Sequence, residues 1–210
     1  IGVRLVGSEM CIRDRLKGEG KSPDSYQVAK QADTLMAYYE LPFDEVQNVI
    51  TRLGYKLPAN YFTTNLRFYL DRTTHGSTLS RIVYSVLDEM DGNMDQSWQL
   101  FSTALFSDYY DIQGGTTAEG IHLGVMGATL EIETKCYGGV RFDTDEVSIN
   151  PHLPTTWSKL SFKQTYQGIT YNFEVGHHKI NVTADSSSHI KVGDKGYSLS
   201  KNKPTVITYK

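Results

Sequence analysis

The sequence predicts a helical segment followed by a small antiparallel β domain, and three observations carry that prediction. From Lys21 to about Tyr137 apolar residues recur at spacings of three and four, and after Gly139 they alternate with a period of two. The pair Gly138-Gly139 stands where one period replaces the other. The expected boundaries are therefore a non-native or disordered leader over 1–20, a helical part over 21–138 and a β domain over 139–210.

Each helix has its own start or stop signal. Ser22 or Ser25 is placed to cap a helix running through Lys30–Leu41, with Val28, Leu35 and Met36 near one face and Pro42 as its end. Phe43–Tyr55 carries Val46, Val49, Ile50 and Leu53 at helical spacing, and Gly54 closes it. In Ser77–Gly92 the apolar face is Leu79, Ile82, Val83, Val86, Leu87 and Met90, with Gly92 as the stop. Gln96–Tyr110 follows with Trp98, Phe101, Leu105 and Tyr109. A last helix opens on a capping box, Thr116 with Glu119 three residues on, and runs to Gly138. Short connections between these segments imply an antiparallel helical array.

Beyond the glycine pair, the segments LSFKQTY, ITYNFEV, KINVTA, HIKVG, YSLS and TVITY alternate apolar and polar residues. Turn dipeptides Gln167-Gly168, Gly193-Asp194 and Lys195-Gly196 separate them. Six or seven strands in a small sheet or sandwich are expected.

Composition narrows the function classes. With 39% hydrophobic and 21% charged residues the chain has an ordinary globular balance, and its net charge of −3 gives no basic face for nucleic acid or an anionic membrane. No stretch approaches the roughly 18–20 apolar residues of a membrane span. Cys11 and Cys136 are too few for a disulfide framework and sit in no zinc-ligand spacing, so free thiols and a cytoplasmic location are expected. No metal and no cofactor is expected.

The first twenty residues stand apart. Charges at Arg4, Glu9, Arg13, Asp14 and Arg15 rule out the apolar core of a signal peptide. The run VGSEMCIRDR resembles the translated read-through of a sequencing adapter, which would make roughly Ile1 to Arg15 foreign sequence and the chain a piece of a longer protein. No stable structure is expected there.

Three short motifs could carry chemistry. In Arg72–Ser80 (RTTHGSTLS), His75, Gly76 and Ser77 immediately precede a helix, where N–H groups lack intrahelical partners and the helix dipole favours an anion. The plainer alternative is that Ser77 or Thr78 caps the helix and His75 is an ordinary histidine. In Gly114–His122 (GGTTAEGIH), Gly115, Thr116 and Thr117 offer close backbone approach and hydroxyl donors, or simply a loop and a cap. In Lys30–Asp33 (KQAD), Lys30 and Gln31 could donate to sugar hydroxyls or form a solvated helix face. His177-His178 has no partner spacing for a metal, and Asp108 with Asp111 reads as flanking a turn. A glycoside hydrolase needs a carboxylic acid and a second carboxylate, and Glu119, the only glutamate in the two loops, already belongs to the capping box.

Together with INPHLPTTWSKLSF at Ile149–Phe162, these motifs stand in an order that resembles the C-terminal third of glycoside hydrolase family 65, over about Ser22 to Lys210. The resemblance implies the closing helices of an (α/α)6 barrel followed by a small β-sandwich domain. It also implies an inverting α-glucoside phosphorylase of the kind acting on maltose, trehalose or kojibiose. In such enzymes a glutamic acid protonates the glycosidic oxygen while inorganic phosphate, the co-substrate, attacks the anomeric carbon and yields β-glucose 1-phosphate. By the same resemblance Lys30 and Gln31 would bind sugar, and His75, Gly76, Ser77, Gly115, Thr116 and Thr117 would hold phosphate. The general acid would lie upstream of Lys21, leaving the chain inactive alone, and the whole protein would form a homodimer. The alternatives are a trehalase-like hydrolase of the same family, which would need a carboxylate near His75, and a carbohydrate-binding module presenting tyrosines on strands.

Overall fold

In the computed structural model, residues 15–16, 18–26, 29, 31–112, 118, 120–142 and 146–209 are described. They fall into two compact units, 1–129 and 130–210.

The first unit is helical. After short 3-10 turns at Pro23–Tyr26 and Asp33–Leu35 come α1 (Met36–Glu40), α2 (Phe43–Arg52), α3 (Tyr61–Leu70), α4 (Leu79–Met90), α5 (Met94–Leu105) and α6 (Ser107–Tyr110). A further helix, α7 (Leu123–Ile132), carries the chain into the second unit and ends in a π-helical turn, Glu133–Tyr137. The core gathers Leu35, Tyr38, Val46, Phe62, Leu66, Val83, Tyr84, Leu87 and Leu100. Tyr38 meets the Phe62 ring edge-on at 5.0 Å, and Phe43 meets it at 5.3 Å. Such ring pairs add about 0.5–1.5 kcal/mol beyond the area they bury.

The helix α4 is buried from Ser80 to Asp88 on every side, not on one stripe. Its ends behave oppositely to the face read from sequence, for Leu79 and Met90 are partly exposed. Small side chains let α4 and α5 approach closely: Ser85 and Ser97 are both fully buried, and the Ser85 hydroxyl donates to the Ser97 carbonyl at 2.9 Å.

The expected long helix through Lys30–Leu41 does not form. The backbone of Ala29 is committed elsewhere, since its N–H donates to the Arg72 carbonyl at 3.0 Å and its carbonyl accepts from the Thr74 N–H at 2.8 Å. This parallel bridge to Thr73 uses groups a continuous helix would need, so only Met36–Glu40 is α-helical. Helix α3 was not legible as a separate element, although Phe62, Leu66 and Tyr69 mark its inner face. The final helix begins at Leu123, and the expected capping box, Thr116 and Glu119, lies outside the described residues. At the end of the expected leader the Glu19 N–H donates to the Arg15 carbonyl at 2.9 Å and the Lys21 N–H to the Leu16 carbonyl at 2.7 Å.

The second unit holds two four-stranded sheets, ordered β1-β2-β6-β7 and β3-β4-β5-β8. The strands are β1 (Val140–Arg141), β2 (Val147–Ile149), β3 (Lys159–Tyr166), β4 (Ile169–Gly176), β5 (Lys179–Ala184), β6 (Ser188–Val192), β7 (Lys195–Leu199) and β8 (Thr205–Thr208). All pairings are antiparallel except β2 with β6. Period-two alternation buries Tyr171, Phe173 and Val175 on β4, and Ile180, Val182 and Ala184 on β5. The β3–β4 hairpin turns on Gln167 and Gly168, both at positive φ (48° and 78°), as a two-residue turn matched to strand twist requires. The dipeptide Lys195-Gly196 is not a turn; it opens β7 and pairs with Val192 and Lys191. Two short strands, β1 and β2, bring the total among the described residues to eight.

The motif Ile149–Phe162 serves the start of this unit. Its residue His152 donates its N–H to the Tyr137 carbonyl at 3.0 Å, and Trp157 meets the Tyr137 ring edge-on at 5.6 Å. At Gly139 (φ 65°) an added Cβ would fall 1.9 Å from the Asn150 carbonyl oxygen.

Candidate functional site

The same bridge that breaks the first helix builds the site. By tying Ala29 to Arg72 and Thr74 it sets the segment holding Gln31 beside the loop holding His75, two motifs more than forty residues apart. Between the Gln31 segment and the start of α4 lies a cavity of about 70 Å³ lined by Gln31, Asp33, Met36, Leu79, Ser80 and Val83. Gln31 is half-buried and donates from Nε2 to the Asp33 carboxylate at 2.8 Å.

His75 sits at the entrance to α4 in the left-handed backbone region, φ 47°. That conformation costs a non-glycine residue roughly 1–2 kcal/mol. Its Nδ1 shares a hydrogen bond with the Ser80 hydroxyl at 2.8 Å, and its ring lies edge-on to Tyr84 at 5.7 Å. Burial, with the charge of Arg81 adding to it, pushes the imidazole down to about 4, so His75 is neutral near pH 7. Tyr84 itself is fully buried, shares a hydrogen bond with the Thr73 hydroxyl at 2.7 Å, and is pushed up to about 12 by burial.

Gly76 and Ser77 are half-buried just before α4. No side chain caps this helix: Thr78 occupies the cap position without a side-chain bond, so the capping alternative for Ser77 and Thr78 is not realised. The N–H groups of Ser80 and Arg81 turn back onto the carbonyls of Ser77 and Thr78 instead. Two residues of the site escaped sequence reasoning. Ser80 fixes His75, and Arg81, 7% exposed, brings a buried positive charge beside it. A basic residue inside an otherwise apolar helix was the available signal.

Lys30, Gly115, Thr116 and Thr117 lie outside the described residues. Asp108 and His122, on either side of that sequence segment, are nonetheless tied together. Asp108 accepts the backbone N–H of His122 at 2.8 Å and engages its Nδ1 at 2.6 Å. Asp111 also has positive φ, 45°. In the second unit His177 donates from Nε2 to the Trp157 carbonyl at 2.7 Å, and no group of three or more metal-ligating side chains occurs among the described residues. No helix among the described residues is long and apolar enough to cross a membrane.

The helical part matches the glycosyl hydrolase family 65 central catalytic domain over residues 9–131, and residues 140–199 match the C-terminal domain of the same family. The chain belongs to glycosyl hydrolase family 65. Among curated relatives it is 45% identical over 187 residues to trehalose 6-phosphate phosphorylase of Lactococcus lactis, covering 89% of this chain and 24% of that protein. It is 28% identical over 186 residues to α,α-trehalose phosphorylase of Geobacillus stearothermophilus, covering 88% and 23%. A solved structure named for kojibiose phosphorylase, from the human microbiome, shares the fold with a TM-score of 0.67 at 22% identity, over 88% of this chain and 25% of that one. The chain thus spans about a quarter of the length of these relatives.

Proposed function

We propose that this chain forms the phosphate-holding side, and part of the sugar-holding side, of an inverting α-glucoside phosphorylase. The observation that carries the reading is the Ala29–Thr73 bridge, which brings the Gln31 segment alongside the loop of His75, whose Nδ1 is bonded to Ser80 in the wall of one small cavity. His75, Gly76 and Ser77 hold inorganic phosphate, together with Gly115, Thr116 and Thr117, while Lys30 and Gln31 hold sugar hydroxyls. A neutral imidazole suits this role because it donates an N–H without bringing a second positive charge beside Arg81.

Phosphate so held attacks the anomeric carbon as the bond to the leaving oxygen breaks. The acceptor sugar departs with a proton from a glutamic acid, and β-glucose 1-phosphate results. Phosphate takes the place of the base-activated water of an inverting hydrolase, so fixed donors around the anion replace the second carboxylate. The acid is assigned to no residue of this chain, and the 210 residues alone do not turn over. Candidate substrates follow the relatives, trehalose, kojibiose and trehalose 6-phosphate, with maltose added by the family resemblance. The reading further implies a cytoplasmic homodimer that needs no cofactor besides phosphate.

The test is release of glucose 1-phosphate from each disaccharide by the full-length parent, followed by ³¹P NMR with and without phosphate. Strict phosphate dependence and a β product support the reading. His75→Ala should lower kcat/KM for phosphate by about 10²–10³, the scale of losing one oxyanion donor. A second reading rests on Asp33, whose carboxylate lines the same cavity. If sugar release continues without phosphate and Asp33→Asn abolishes it, the enzyme is a hydrolase with Asp33 activating water.

A further inference from the structure

The second unit contains a cavity larger than the one in the helical part. It measures about 270 Å³ and opens where the β3–β4 hairpin meets the ends of β2 and β6, so residues of both sheets line it. That is just under the roughly 300 Å³ at which pockets for drug-sized ligands begin, the scale of one ring and not of a chain.

Its walls combine one aromatic side with convergent polar groups. Tyr166 lies on the hairpin, and its ring is braced by Phe142 at 5.1 Å. Tyr171, 3% exposed, lies deeper on β4. Glu146, Ser188 and His189 also line it, as does Gln167, whose amide Nε2 donates to the Tyr166 hydroxyl at 3.3 Å. The Ser188 hydroxyl is buried and makes no hydrogen bond among the described residues. An unmade bond at a buried hydroxyl is unfavourable, and here the oxygen belongs to a residue lining an open cavity.

We infer that this cavity binds a single neutral pyranose, a sugar site on the β domain separate from the phosphate site. Tyr166 supplies a flat apolar face for the ring's C–H groups. Glu146 accepts from sugar hydroxyls, the Gln167 amide and His189 offer both donors and acceptors, and Ser188 gains the partner it lacks. The charge pattern selects against an anion, because Glu146 lines the cavity and no lysine or arginine among the described residues does.

The test titrates the whole 210-residue chain with methyl α-glucoside, with maltose and with inorganic phosphate, following backbone amide signals by NMR. Both sugars should shift Tyr166–Tyr171 and Ser188–His189 saturably in the millimolar range. Phosphate should leave these signals in place. Ser188→Ala should weaken binding by about fivefold, the loss of one hydrogen bond, and Tyr166→Ala by about tenfold. His75→Ala should leave it unchanged, so failure of the phosphorylase reading and failure of this one are separable. Ser188→Ala removes a single buried oxygen, so its spectrum should remain dispersed and its affinity interpretable even if Tyr166→Ala unfolds the hairpin. No sugar-dependent shift up to about 100 mM, shifts confined to residues around His75, or equal shifts with phosphate would overturn the inference.

Discussion

Asp108 grips His122 with both carboxylate oxygens, one on the backbone N–H at 2.8 Å and one on the ring Nδ1 at 2.6 Å. The clamp joins two residues fourteen positions apart. Asp108→Ala should destabilise the first unit by about 2–3 kcal/mol, since it removes two bonds to a charged acceptor. Asp108→Asn should lose less, because the amide oxygen still accepts the N–H. Urea unfolding measures the difference, and hydrogen exchange at Leu123–Met126 should quicken in the alanine variant.

Arg67 spans Asp88 at 2.7 Å and Asp91 at 2.9 Å, and Asp88 is fully buried. Arg67→Ala strands that carboxylate and should destabilise by about 3–5 kcal/mol. Adding Asp88→Asn should recover a large part of the loss, because the stranded group is then neutral. A double-mutant cycle that is additive within error would mean the pair is not coupled.

Acid should weaken the fold through His75. Its folded value of about 4 lies below the ordinary 6.5, so between those values the unfolded chain binds a proton that the folded chain does not. The contribution is therefore complete above about pH 6.5 and is lost as pH falls toward 4, to a ceiling of about 3 kcal/mol. Asp88 acts in the opposite sense. Burial raises it to about 6 despite Arg67, so its contribution is present near pH 4 and is lost as pH rises through 6. The two overlap, and the stability difference between wild type and His75→Gln isolates the first. That difference should shrink in favour of the variant as pH is lowered from 7 to 4; a pH-independent difference would rule out a neutral buried His75.

Two glycines at positive φ should respond differently to alanine. At Gly139 a methyl group collides with the Asn150 carbonyl at 1.9 Å, whereas at Gly168 nothing lies within 4 Å. Gly168→Ala should cost about 1–2 kcal/mol, the strain of left-handed backbone alone. Gly139→Ala should cost clearly more, because the Asn150–Pro151 backbone must also move. Thermal unfolding of the two variants ranks them directly.

Much of the fold was legible because its elements follow local rules. The strand alternation in Ile169–Val175 and Lys179–Ala184 survives into buried and exposed faces without a shift of register. Gly54 and Gly92 end their helices at positive φ, as expected of C-terminal glycines. Lys30–Leu41 failed because its helical pattern was outcompeted by hydrogen bonds from a segment more than forty residues away. The roles of Ser80 and Arg81 were hidden for a related reason: each acts through His75, and neither spacing nor residue type announces that.

By itself the sequence determined the two-part architecture, the strand alternation and the motifs that place the chain in its family. All of these depend on contacts between near neighbours or on the hydrophobic period of a single element. Tertiary structure alone decided that the Gln31 segment runs alongside the His75 loop, that His75 is neutral, and that the β domain contains a cavity lined by a serine whose buried hydroxyl has no partner among the described residues. Each of these depends on which distant backbone groups satisfy one another and how much water the packing excludes, quantities that no local pattern of residues encodes.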